Sequence, residues 1–421
     1  MRRAAITGIG VCAPGGRGRE GFWDFVLSGR TATRPITLFD ASGFRSRIAA
    51  EIDWDPAAAG LAPAEARELD RMVQFAVFAL SEALKDSGLP DAGVPAERVA
   101  VSVGTAVGAT IGLDNQYAAA SDRGRHWLVD PGRAVPWLYD YVVPTPLARE
   151  VAWRTGAEGP VIVVSTGCTS GVEAVGHALE LVREGSADVV VTGASDAPIS
   201  PITSACFDAI RATSPNNEDP ARACRPFDAD RDGFVLGEGA AILVLEEFEH
   251  AKRRGAHVYA ELAGFATRCN AFHMTGLHKE GRELGEAITS AMREAELGAS
   301  GLGYVSAHGS GTQQNDAHET AALKRGLGRG AYEVPVSSIK AAIGHALGSV
   351  GSIELAACAL AIEHGALPPT ANLDRRDPRC DLDYVPNQAR DRRVPAALCV
   401  GSGFGGFQSA AVLTDPEGRA R

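Results

Sequence analysis

Short runs of β-branched residues recur along this chain, each followed by a longer Ala-, Leu- and Glu-rich stretch of helical spacing, and the order of these units repeats once. Runs such as VIVVS at 161–165 and ADVVVTGA at 187–194 are short and mostly apolar. That is the pattern of strands covered by helices on both faces, so the expected class is α/β with buried sheets. Strands are predicted at Ala4–Gly10, Val99–Gly104, Val161–Ser165, Asp188–Gly193, Ala240–Glu246, Ala260–Thr267, Tyr304–Ala307, Val334–Ser338 and Ala397–Gly403. Helices are predicted at Arg71–Ser87, Gly171–Glu184, Gly281–Ala295, Asp316–Leu327 and Gly351–His364. The repeat pairs AAITGIGV (4–11) with AELAGFAT (260–267), and AVSVGTAVG (100–108) with YVSAHGSGT (304–312). It also pairs STGCTSG and its helix with the stretch 336–366 and the CVGSGFGG that follows. Two related halves result, 1–254 and 255–421, joined by the charged EEFEHAKRRGAH near 250–258. Residues 108–146, rich in Gly and aromatics, are expected to be irregular and to line a site or an interface.

A formal net charge of -11 over 421 residues argues against nucleic acid, whose phosphates require an excess of Lys and Arg. An acidic protein partner would need a local basic patch. The eight cysteines (12, 168, 206, 224, 269, 358, 380, 399) form no C-x-x-C pair. The start, MRRAAITGIGV, enters a strand pattern at once rather than a secretory signal, and no apolar run reaches bilayer length. A reducing cytoplasm with free thiols follows, with no membrane contact.

Cys168 stands in VVSTGCTSGVEAVGHALE, where an apolar strand meets a Gly-flanked turn and a helix begins. Such a turn exposes its side chain, and the helix N-terminus is expected to favour thiolate over thiol. Cys358, within an apolar helix, reads as core. His308 (YVSAHGSGT) and His345 (SSIKAAIGHALGS) both follow strands beside glycine, and with Cys168 they form a nucleophile–base constellation. Lys340, flanked by Ile339 and Ala341–Ile343, is expected to be buried and so to need a carboxylate, with Glu319 as the natural candidate. The glycine-dense GSGFGGFQSA could cradle a phosphate or face an oxyanion; it lacks the Lys-Ser/Thr of a P-loop. HExxH and paired Cys/His spacing are absent, so no zinc site is expected, and His318-Glu319 alone is no metal signal.

These residues resemble a known family. TGCTSG, AHGSGT and SIKAAIGHALGSVGSIE are similar to the Cys, His and Lys/His motifs of β-ketoacyl synthases. RPFDADRDGFVLGEGAAILVLE (225–246) resembles their signature loop, and GSGFGG their C-terminal loop. STGCTSG, CFDAIRAT, TRCNAFHMTGL, HGSGTQQND and GFGGFQSA are most like the ketosynthase alpha subunit of type II aromatic polyketide synthases. Fatty-acid enzymes usually carry Thr-Asn where Phe407-Gln408 stand. The companion chain-length factor lacks the cysteine, and a thiolase would carry a second one in the Gly-rich loop, where Phe404 stands.

The resemblance implies a thiolase-like αβαβα fold and an acyltransferase catalysing decarboxylative Claisen condensation. An acyl chain is held on Cys168 and extended by malonyl-acyl carrier protein. Cys168 and Phe404 N–H groups would form the oxyanion hole, and Phe404 would also act as a gate. His308 and His345 would handle the enolate, with Lys340 and Glu319 supporting them. Ser310 and Thr312 would bind the pantetheine amides. Implied partners are the carrier protein, malonyl and polyketide thioesters, and a Cys-lacking paralogue as heterodimer, with no metal, nucleotide or flavin. Three alternatives stand beside this reading: a fatty-acid or reduced-polyene synthase, a non-catalytic partner subunit shaping a tunnel, and a Cys-dependent hydrolase.

Overall fold

The computed structural model describes residues 2–57, 59–126 and 128–418. The first half contributes β1 (Ala4–Ala13), α1 (Arg71–Ser87), β2 (Val99–Gly104), β3 (Val161–Val164), α2 (Ser170–Glu184), β4 (Val189–Asp196) and β5 (Gly239–Glu247). The second contributes β6 (Ala260–Cys269), α3 (Arg282–Glu294), β7 (Tyr304–Ser306), α4 (Gln313–Leu327), β8 (Val336–Ser337), α5 (Val350–His364), β9 (Ala396–Gly403) and β10 (Phe407–Thr414). The sheet runs β8-β7-β9-β10-β6-β1-β5-β4-β2-β3. Counted outward from the centre, each half has its first, fifth, fourth, second and third strand in that order. The directions match as well: β1–β5 and β6–β10 are antiparallel, and β2–β3 and β7–β8 are parallel. The halves meet where Ala4, Ala5 and Ile6 pair with Leu262, Glu261 and Ala260.

Three helical layers flank these strands. α1 covers one side and α3 with α4 the other, while α2 and α5 pack together between the half-sheets. α5 is buried nearly all round, including Val350, Ile353, Leu355 and Leu360, each stabilising by about 1.5–3 kcal/mol. The segment Leu347–His364 has the length and hydropathy to cross a membrane, but 83% of it is buried inside the fold, as a central-layer helix should be.

The repeat reaches single residues. β1 and β6 each carry a register shift, at Ile6/Gly8 and Leu262/Gly264. A Cβ on Gly8 would lie 2.5 Å from the Ala83 carbonyl oxygen of α1, and one on its counterpart Gly264 would lie 2.2 Å from the Ala291 oxygen of α3; one on Gly10 would lie 1.8 Å from the Ala79 oxygen. Glycine is what lets each outer helix sit on its strand. Gly10→Val is expected to cost more than about 3 kcal/mol, which denaturant unfolding would measure.

Several elements depart from their predicted bounds. α4 begins earlier, because the Thr312 side chain accepts the Asn315 N–H and caps it. β10 was not anticipated: Gly405 and Gly406, both at φ +89, turn β9 back on itself, so the glycine-dense segment is a hairpin. That geometry removes the phosphate-cradle reading, which requires a following helix. Residues 108–146 are more regular than predicted, with helices Thr110–Ala120 and Leu138–Val142; Trp127 lies outside the described residues. All eight cysteines are free thiols.

Candidate active site

Cys168 occupies the turn Gly167–Thr169 between β3 and α2. Gly167 takes φ +62, and the Ser170 hydroxyl donates to its carbonyl at 2.6 Å. Gly403, the last residue of β9, presses on this turn: a Cβ there would be 3.1 Å from Thr166 O and 3.3 Å from Cys168 N. This approach brings Phe404 to the Cys168 turn, and the backbone N–H groups of Phe404 and Cys168 are directed at the sulfur.

The cavity into which Cys168 faces is about 320 Å³ and is also lined by His308, His345, Ser310, Thr312 and Phe404. His308 follows β7. His345 is held by the 225–246 segment: its N–H donates to the Val235 carbonyl at 2.7 Å, and its own carbonyl accepts the Gly237 N–H at 2.9 Å. The His308 and His345 rings are 5.2 Å apart at 81°. An aromatic row continues from His345 through Phe234 (5.3 Å) and Phe207 (5.1 Å) to Phe404 (6.4 Å). The Ser310 and Thr312 hydroxyls lie 3.1 Å from each other.

Glu319 does not pair with Lys340. Its two oxygens accept the backbone N–H of His308 at 2.6 Å and of Gly309 at 2.7 Å, so it shapes the His308 turn instead. Burial pushes its carboxyl up to about 8. Lys340 instead forms its ion pair with Glu354 of α5, both fully buried. Burial raises Glu354 to about 7 against the pull of Lys340. The signal for Glu354 was present as the one acidic residue in the stretch SIELAACALAI at 352–362.

Electrostatics also correct the expected thiolate. Burial raises Cys168 to about 11, outweighing Lys340 and the two N–H groups that favour the anion. Desolvation, and then the charge of Lys340, hold His308 and His345 well below the usual histidine value, so both rings are neutral near pH 7. Alkylation of Cys168 by iodoacetamide in the empty site should therefore climb from pH 7 to 10 without a plateau. Neutral imidazoles beside a protonated thiol suit a site in which the proton leaves sulfur only as it attacks.

Residues 1–251 match the family described as Beta-ketoacyl synthase, N-terminal domain, and residues 259–374 match the Beta-ketoacyl synthase, C-terminal domain. The chain belongs to the β-ketoacyl synthase family. Within that family it is 66% identical over 416 residues to the tetracenomycin polyketide synthase ketoacyl synthase alpha subunit of Streptomyces glaucescens, covering 99% of this chain and 98% of the relative. Among solved ketosynthases it resembles a type II PKS ketosynthase bound to the hexaketide, in complex with its acyl-carrier protein. The TM-score is 0.92 at 37% identity, over 98% of this chain and 99% of that one. The ishigamide ketosynthase/chain length factor superposes with a TM-score of 0.89 at 32% identity, over 98% and 99%. The thiolase-like ketosynthase fold and its layered halves are thus shared with these proteins.

Proposed function

We propose that this chain is the catalytic ketosynthase subunit of a type II polyketide synthase, with Cys168 as the residue that carries the growing chain. The observation that carries this reading is the meeting of Cys168, two neutral histidines and two converging N–H groups in one cavity. An acyl thioester on a carrier protein is attacked by the Cys168 sulfur, and the acyl group passes to it as the carrier thiol leaves. The N–H groups of Cys168 and Phe404 donate hydrogen bonds to the developing oxyanion. Malonyl thioester then enters, with Ser310 and Thr312 at the pantetheine amides. Loss of CO2 leaves an enolate, whose oxygen takes hydrogen bonds from the neutral His308 and His345 rings. Its carbon attacks the acyl-Cys168 carbonyl, the C–S bond breaks, and a β-ketoacyl thioester two carbons longer departs. Thioester exchange and CO2 release supply the driving force, so the reading requires no metal, nucleotide or flavin.

An open edge supports a partner chain. β3 ends the sheet with Val161 41% exposed, and the adjoining segments expose Tyr117, Tyr139, Val142 and Trp153. An uncovered strand edge amid apolar side chains suits pairing with a similar subunit. A Cys-lacking paralogue is the proposed partner and the cytoplasm the proposed compartment.

The test supplies malonyl- and acyl-carrier proteins to the purified chain and its paralogue. One CO2 per new β-ketoacyl thioester is expected. Free acid released without a new C–C bond would refute the reading in favour of a hydrolase, and condensation at full rate by the monomer would refute the partner.

A further inference from the structure

Asp196 ends β4 directly beneath the site, wholly buried. Its partners are neutral donors from both halves of the molecule. In the first half these are the Thr105 hydroxyl (2.6 Å) and the N–H groups of Ala106 (2.9 Å) and Val107 (3.2 Å). From the second half comes the N–H of Gly348, in the turn that follows His345. The fit is tight: a Cβ on Gly348 would meet the Asp196 carboxylate and the Ala106 nitrogen, both at 2.6 Å. Leu347, next to Gly348, is held at φ +48, a costly conformation for leucine. Leu347 belongs to the apolar cluster against which Ala106, Val107 and Cys168 all pack. The Thr105 carbonyl also accepts the Ser170 hydroxyl, two residues beyond Cys168, at 3.3 Å.

We propose that Asp196 is a positioning residue for condensation, locking the Cys168 turn to the His345 turn. The inference rests on Cys168 being the nucleophile. The charged and titratable groups around that sulfur are Asp196 from β4 and Lys340 from the short helix Lys340–Ile343, with His308, His345, Arg211 and Asp232 lining the same cavity. Lys340 favours the anion and Asp196 opposes it.

Asp196→Asn keeps the shape, removes the charge and sets an amide N–H2 among N–H groups that the carboxylate accepted. In the full chain with its partner, its iodoacetamide pH profile should move to lower pH, with alkylation at pH 7.5 faster by roughly 3- to 10-fold. At the same time kcat for condensation should fall with KM for malonyl-carrier protein unchanged. A profile superimposable on that of the parent overturns the opposition of Asp196 to the Cys168 anion, and an unchanged kcat overturns the positioning role. Should Asp196→Asn fail to fold, Thr105→Ala removes one donor and leaves the charge. It should lower kcat and leave the alkylation profile in place, and an unaltered kcat again overturns the positioning role. Alkylation needs no turnover, so a parent protein that failed to condense would refute the reaction while leaving the alkylation comparison readable.

Discussion

Cys168→Ala should take up no acyl group from an acyl-carrier protein and should lose condensation by at least about 10³-fold, while still releasing CO2 from malonyl-carrier protein. The separation follows from how the site is assembled. The sulfur comes from the turn between β3 and α2 in one half, whereas His308 and His345 come from turns of the other. His345 is fixed by backbone hydrogen bonds to Val235 and Gly237, and the His308 turn by Glu319. Neither set of contacts involves Cys168, so the alanine variant should keep both rings where an enolate would form. Intact mass after incubation with labelled acyl-carrier protein reads the first half of the prediction, and CO2 release reads the second. An acyl adduct on the variant would remove Cys168 from its role. Loss of decarboxylation along with condensation would mean that the sulfur takes part in forming the enolate.

The fold was legible because a buried α/β sheet imposes uniform apolar runs, and because the repeat was written in order as well as in composition. AAITGIGV and AELAGFAT became the two central strands, each with its bulge and glycine. β10 escaped notice because FQSAAVLT follows two glycines whose hairpin geometry a linear reading does not reveal. The placing of Cys168, His308 and His345 on turns was legible for a related reason: glycine beside a polar residue at a strand end leaves that side chain little cover. Pairwise contacts were not legible. Lys340 demanded a carboxylate, but sequence spacing could not tell that both Glu319 oxygens were already taken by backbone N–H groups. The protonation of Cys168 was misjudged in the same way. A helix N-terminus is visible in a sequence, whereas the burial that outweighs it depends on residues such as Leu347, brought in from the other half.

Lys340→Met should lower stability by about 3–5 kcal/mol, because it leaves the Glu354 carboxylate buried without its counter-charge. A fall in Tm of several degrees is the expected readout. Replacing both partners, as Lys340→Met with Glu354→Leu, should restore most of that loss, since two apolar side chains suit the packed core around α5. Activity should not return with stability. The Lys340 charge depresses both His308 and His345 and favours the Cys168 thiolate. With that charge gone, each imidazole rises toward its ordinary value and the thiol rises further. A histidine that must be neutral is lost as pH falls through its pKa, so raising that pKa moves the acid limb of condensation to higher pH. The iodoacetamide profile of Cys168 should move the same way. Both shifts belong to the single and the double variant alike, whereas most of the fall in Tm is confined to the single variant. Profiles that overlap those of the parent in the stable double variant would show that Lys340 serves the core and has no hold on the chemistry.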